Sequence, residues 1–173
     1  MWLKYSDAPI LVGEQADRNQ TERLSMYSKP NGFWITDDSK DCWRSWCVGE
    51  RWGLGGLTHK HEIELDESGI LILRSVAELD AFTEKFSVPE WWGPFGEPRK
   101  YRDICIDWRR VAQQHTGIII TPYQWERRLC VDYRWYYGWD CASGCIWKAS
   151  AIRDIRLIEI DLAVFEEKQE AAA

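Results

Sequence analysis

The chain has 173 residues, 45% of them hydrophobic and 29% charged, and a formal net charge of −6 at pH 7. That is enough chain to bury one real core, and the composition is too apolar for a disordered protein. The negative balance argues against an extensive phosphate-backbone footprint, while leaving room for a local basic pocket.

Residues 2–5 read as a short opening strand, and the polar stretch 14–25 fits either a helix or a loop. Lys29-Pro30-Asn31-Gly32 is a turn signal, followed by a short strand over Phe33–Thr36. Asp37 or Asp38 is placed to cap a helix running to about Glu50, with Trp43, Trp46 and Cys47 as its apolar stripe. From Leu57 to Leu65 apolar and His residues alternate with polar ones, which is strand periodicity. Asp66-Glu67-Ser68-Gly69 makes a turn, and Ile70–Leu73 an apolar strand. Ser75 and Glu78 form a capping box for a helix to about Phe86.

Residues 87–102 hold three Pro, two Gly and several rings, and read as a long aromatic loop. Asp107 caps a helix through His115, and Gly117–Ile120 is a buried-strand run. Residues 122–138 return to an aromatic, Arg-rich loop. Strands at Gly144–Trp147 and Ile155–Ile160 flank a turn or helical piece over Ala149–Arg153, and Glu166–Ala173 is a polar helical tail. The expected class is α+β, a mixed or antiparallel sheet with short helices. One globular domain is expected over residues 1–165, with a separate tail over 166–173.

Met1 leads straight into Trp2-Leu3-Lys4-Tyr5, without a basic n-region or an apolar h-region, and no apolar run has membrane-spanning length. The six cysteines are therefore expected as free thiols in a reducing cytoplasm. Neither close pair, Cys42/Cys47 or Cys141/Cys145, has zinc-knuckle spacing. His59 and His61 point to one strand face, where an ordinary polar surface outweighs a metal site, so no metal is expected.

The densest aromatic stretch runs from Trp135 to Trp147 and contains one carboxylate, Asp140. A single acid among rings is costly to bury unless it has a partner or a job. Two readings compete for it: a turn residue before Cys141-Ala142-Ser143-Gly144, or a functional acid. Trp34 likewise reads as core or as a ligand platform.

The order of pieces resembles the ADP-ribosyltransferase family, especially its small phage and bacterial members. Leu3-Lys4-Tyr5-Ser6 stands where the family's first strand carries a His or Arg, and Lys29–Thr36 resembles the second strand with its lead-in turn. His61–Asp66 with Ile70-Leu71 resembles the middle strands, and Gly117–Ile120, Asp140–Ile146 and Ile155–Ile158 the later ones. The resemblance implies an NAD-dependent transferase that modifies a macromolecule, with a protein target favoured over duplex nucleic acid by the acidic charge. Small size suits a phage or mobile-element effector, or a toxin.

On that reading Asp140 is the first candidate for the catalytic acid and Glu126 the second. Such an acid faces an oxocarbenium-like transition state as nicotinamide leaves ribose. Nicotinamide, a flat cation, wants a ring partner, with Trp34, Tyr123, Tyr136 and Trp139 as candidates. Lys4, Arg127, Arg128 and Arg134 are available for the pyrophosphate. Tyr5 and Thr36 complete the expected NAD-binding set through their places on the first two strands. The alternative is a non-enzymatic protein-binding module, such as a phage inhibitor of a host protein, using aromatic loops 87–102 and 122–139 as its interface.

Overall fold

The described residues form nine strands. They are β1 (Trp2–Ser6), β2 (Phe33–Thr36), β3 (His59–Leu65), β4 (Ile70–Leu73), β5 (Ser87–Trp92), β6 (Tyr101–Ile106), β7 (Gly117–Ile120), β8 (Ser143–Ile146) and β9 (Ile152–Ile160). The helices are α1 (Trp43–Glu50), α2 (Val76–Phe86), α3 (Trp108–Ala112) and α4 (Arg134–Tyr137). The computed structural model describes residues 1–20, 29–92 and 101–161.

Seven strands form one sheet in the order β4-β7-β8-β2-β1-β3-β9, and β5 with β6 makes a separate hairpin. Only β4 and β7 run parallel; the other neighbours are antiparallel. The class is thus mixed α and β with a mostly antiparallel sheet.

Register decides what each face carries, because successive strand side chains point opposite ways. Trp34 lies opposite Cys145 and Cys145 opposite Ile118, while Thr36 lies opposite Leu3. On this face Phe82, Phe86, Trp108, Trp135, Tyr136 and Trp139 pack over Ile118 and Ile120. Farther along, Leu3 and Tyr5 pack under Cys47, Leu57, Trp43 and Trp46 from α1 and the turn after it. The other face is aliphatic: Ile35, Ile63, Ile119, Ile146, Ile152 and Ile155, with Ile10 laid over them. Each fully buried Ile contributes about 1.5–3 kcal/mol of apolar transfer energy. Gly144 is required in the middle of this sheet, since a Cβ there would stand 2.5 Å from Cγ1 of Ile119.

Several expected boundaries change. The stretch 87–102, read as a loop, is largely a hairpin pairing Ser87 with Ile106 through Trp92 with Tyr101; its tip, residues 93–100, lies outside the described residues. The stretch 122–138, also read as a loop, carries two 3-10 turns and α4. Neither Asp37 nor Asp38 caps α1. The Trp43 N–H donates instead to Thr36 Oγ1 at 2.9 Å, so a strand hydroxyl caps the helix. At the other end Arg51, not a glycine, takes the left-handed conformation at φ 51°. The helix after Asp107 ends at Ala112, short of His115. Most of the 14–25 stretch from residue 21 on, and the tail over 166–173, lie outside the described residues.

No helix among the described residues is long and apolar enough to cross a membrane. All six cysteines are free. Among the described residues no group of three or more His, Cys, Asp or Glu is placed to hold a metal ion.

Candidate functional site

Between the α1 cluster and the aromatic block the sheet is left uncovered, and a cleft of about 240 Å³ opens there. Its floor is β1, β2 and the start of β8, with Leu3, Tyr5, Trp34, Thr36 and Ser143. Trp43 of α1 forms one wall, Trp139-Asp140-Cys141 the other, and Lys29 lies at the rim. Asp140 is the only carboxylate among the described residues lining it.

Local hydrogen bonds fix the acid-bearing segment. The Trp139 N–H donates to the Tyr136 carbonyl at 2.8 Å, and the Ala142 N–H to the Asp41 carbonyl at 2.9 Å. The Thr36 hydroxyl donates to the Ala142 carbonyl at 2.7 Å while accepting from Trp43 N–H. Asp140 is thereby held against the same strand that carries Trp34.

Two cations flank this carboxylate. Lys29 Nζ lies 3.7 Å from one oxygen and Arg128 3.8 Å from the other. Both separations exceed hydrogen-bond length, so these are loose ion pairs. Lys29 also stands 5.3 Å above the Trp34 ring. Arg128 is surrounded by the rings of Trp125, Tyr137 and Tyr123 at 5.5, 5.8 and 6.0 Å. Trp139 meets Trp34 edge-on at 4.9 Å, so the cleft wall continues directly into the buried aromatic block.

The remaining polar groups are committed or neutral. Ser143 Oγ donates to the Cys141 carbonyl at 3.0 Å. Burial pushes the Cys141 thiol up to about 12, and burial followed by the nearby Cys42 pushes the Tyr5 hydroxyl up to about 12. A thiol in that range is protonated at neutral pH and a poor nucleophile. With no histidine among the described lining residues to act as base, hydroxyl or thiol nucleophilic catalysis lacks its activating partner. What the cleft offers is one carboxylate, an aromatic lining, and two cations in loose ion pairs with that carboxylate.

The expected residues divide as follows. Tyr5, Trp34, Thr36, Trp139 and Asp140 converge on the cleft. Lys4 touches it only along β1: its ammonium stands 5.5 Å over Phe33, whose ring belongs to the opposite, aliphatic face. Adjacent strand residues cannot share a face, so Lys4 and Tyr5 could not both point into the cleft. Tyr136 is wholly buried and accepts a hydrogen bond from Gln124 N–H at 2.9 Å. Tyr123 stacks on Tyr136 behind the wall. Arg127 forms a two-pronged pair with Asp80 of α2 at 2.8 and 2.7 Å, a fastening for the 125–133 segment. Glu126 is exposed on the 3-10 turn and does not line the cleft. Sequence reasoning missed Lys29 and treated Trp43 as packing alone; the signal for Lys29 was its position at the turn leading into Trp34.

Compared with protein-family models, with curated proteins and with solved structures, the chain matches none.

Proposed function

We propose that the cleft takes the nicotinamide–ribose end of NAD, and that the chain is an NAD-dependent ADP-ribosyltransferase acting on a macromolecular target. The observation that carries this reading is the meeting of Asp140, Trp34 and Trp139 over the first two strands in one cleft. The partly exposed Trp34 ring suits a flat cationic heterocycle, with the buried Trp139 ring edge-on behind it. Asp140 supplies a fixed negative charge where the ribose C1′ becomes positive as its bond to nicotinamide breaks and the bonding electrons leave with the nicotinamide. An acceptor nucleophile then bonds C1′ and loses its proton. At about 240 Å³ the cleft falls below the roughly 300–1,000 Å³ of pockets that bury a whole drug-sized ligand. The rest of the dinucleotide would cross the rim, where Lys29 and Arg128 exchange Asp140 for the pyrophosphate.

The test is nicotinamide release from NAD together with a thermal shift on adding NAD. The wild type is expected to turn over, and Asp140→Asn to lose about 100-fold or more of that rate while keeping its Tm. Absence of both release and thermal shift in the wild type overturns the reading.

One observation favours a second reading. The 125–137 segment displays Trp125, Leu129, Val131 and Tyr137, with Leu129 81% exposed. Trp, Tyr and Arg are the usual anchors of protein interfaces, so a purely protein-binding module would use this segment through Trp125 and Tyr137.

A further inference from the structure

On the aliphatic face of the sheet, away from the cleft, residues 7–20 cross over β1 and the end of β8 as a strap. Four bonds hold it: Ile10 N–H donates to His61 Nε2 at 3.1 Å, Arg18 N–H to the Trp147 carbonyl at 2.8 Å, and the Asp17 carboxylate accepts from Lys148 Nζ and Ala149 N–H at 2.8 and 2.9 Å. Beneath it lies a cavity of about 100 Å³ lined by Lys4, Gln15, Arg18, Phe33, Ile146 and Ile152, among others.

Two positive residues, Lys4 and the exposed Arg18, line this cavity, and neither side chain has an anionic partner among the described residues. Among the described residues the Lys4 ammonium makes no ion pair; its neighbour is the face of Phe33. The Arg18 guanidinium is likewise without a carboxylate, although the Arg18 backbone is bonded. The nearest strap acid, Asp17, is already spent on Lys148 and the Ala149 N–H. Burial lowers the pKa of Lys4, and only the Cys145 thiol offsets that in part. A desolvated, unpaired ammonium is unfavourable in a protein interior, and the usual remedy is a bound counter-charge. A space of about 100 Å³ holds several waters or one small oxyanion.

We infer that the strap cavity is a binding site for a small oxyanion of the phosphate or sulfate type, held from below by Lys4 and from the mouth by Arg18. The inference does not rest on the NAD reading: Lys4 and Trp34 line both spaces, but the Lys4 ammonium stands over Phe33 on the face opposite Asp140. Full occupancy pins the strap to the sheet from inside, adding a non-covalent link between Arg18 and β1.

Inorganic phosphate is the probe, titrated into the full chain at constant ionic strength. Tm is read together with the ¹³Cε–¹Hε NMR signal of Lys4. Saturable stabilisation is expected, with the Lys4 titration moving to higher pH as phosphate binds, because an anion favours the charged amine. Arg18→Gln, an exposed and structurally mild change, should weaken phosphate binding about tenfold, and Lys4→Met should abolish it. Asp140→Asn and Lys29→Gln should leave it unchanged. Stabilisation that does not saturate, or that survives Arg18→Gln and leaves the Lys4 titration unmoved, overturns the inference and marks phosphate as an adventitious ion only. Loss of binding on Lys29→Gln would assign the phosphate to the cleft rim, which also overturns it. Should Lys4→Met fail to fold, the Arg18 variant and the Lys4 NMR titration decide alone.

Discussion

Two tryptophan clusters border the cleft, the inner one behind its wall at Trp139 and the outer one through the partly exposed Trp43. The inner one, Trp108, Trp135 and Trp139, is packed among Phe82, Phe86 and Tyr136 and is almost entirely shielded from water. The outer one, Trp43, Trp46 and Trp52, is built from rings on α1 and just after it, with Trp43 and Trp46 stacked at 5.1 Å and Trp52 edge-on to both at 5.7 Å. Trp52 is 57% exposed. The same residue type is therefore doing two kinds of work. Inner rings gain their energy from apolar burial and hold α2, α3 and α4 to the sheet. Outer rings stabilise mainly one another and present an aromatic wall that a ligand can use at little cost to the fold.

Substitutions separate these roles, the largest effect coming first. Trp135→Ala is expected to cost about 3–5 kcal/mol, a large part of the stability of a domain this size, measured by urea unfolding. A loss below about 1 kcal/mol would show that the inner cluster does not organise the sheet.

The second effect depends on pH and strikes neither cluster. His61, fully buried, accepts from Ile10 N–H through Nε2 and lies 3.3 Å from the Lys4 carbonyl through Nδ1. Burial lowers its pKa, hydrogen bonds that the ring donates to the Lys4 and His59 backbones offset this in part, and the nearby His59 and Lys4 charges lower it further. Its neutral form is the folded one, so its contribution is complete above the ordinary value of about 6.5. It is lost as pH falls from there through the lowered folded value. Tm should therefore decline on acidification in that window, and His61→Gln should flatten that part of the profile.

Third, Trp52→Ala should cost about 1 kcal/mol, the worth of its ring contacts, and leave the NAD-induced thermal shift in place. A loss like that of Trp135→Ala would erase the distinction between inner and outer rings. The smallest effect belongs to Tyr123→Phe. The Tyr123 hydroxyl is buried without a hydrogen-bond partner among the described residues, so deleting it should leave Tm unchanged or raise it slightly. A clear drop would reveal a partner for that oxygen.

Much of this architecture was legible locally. The alternation from His59 to Leu65, the run Gly117–Ile120 and the caps at Ser75 and Asp107 all follow short-range rules, and the Ser75 and Asp107 side chains do accept from Glu78 and Arg110 N–H. The β5–β6 hairpin was hidden because Pro89 sits in a strand, which local rules count against. The α1 cap was hidden because its hydroxyl comes from Thr36, on the far side of two tempting aspartates. Sheet order was not readable at all: nothing local tells β9 to pair with β3 or β4 to run parallel to β7.

At the site, strand neighbourhood placed Trp34, Thr36 and Asp140 within reach of one another. The direction of Lys4 was within reach of the alternation rule, given that Leu3 and Tyr5 are the core-facing pair. The fate of Arg127 was not, because its partner Asp80 is 47 residues away.

The double role of Thr36 Oγ1 has a mechanical consequence. One oxygen receives the first free N–H of α1 and grips the carbonyl two residues beyond Asp140. Anything that wedges Trp43 outward pulls on the same atom that steadies the acid-bearing segment, so the two walls spread together or not at all. The Trp43 amide proton is then a built-in gauge of cleft width: its exchange with solvent reports each opening, and a ligand that bridges the walls will slow it.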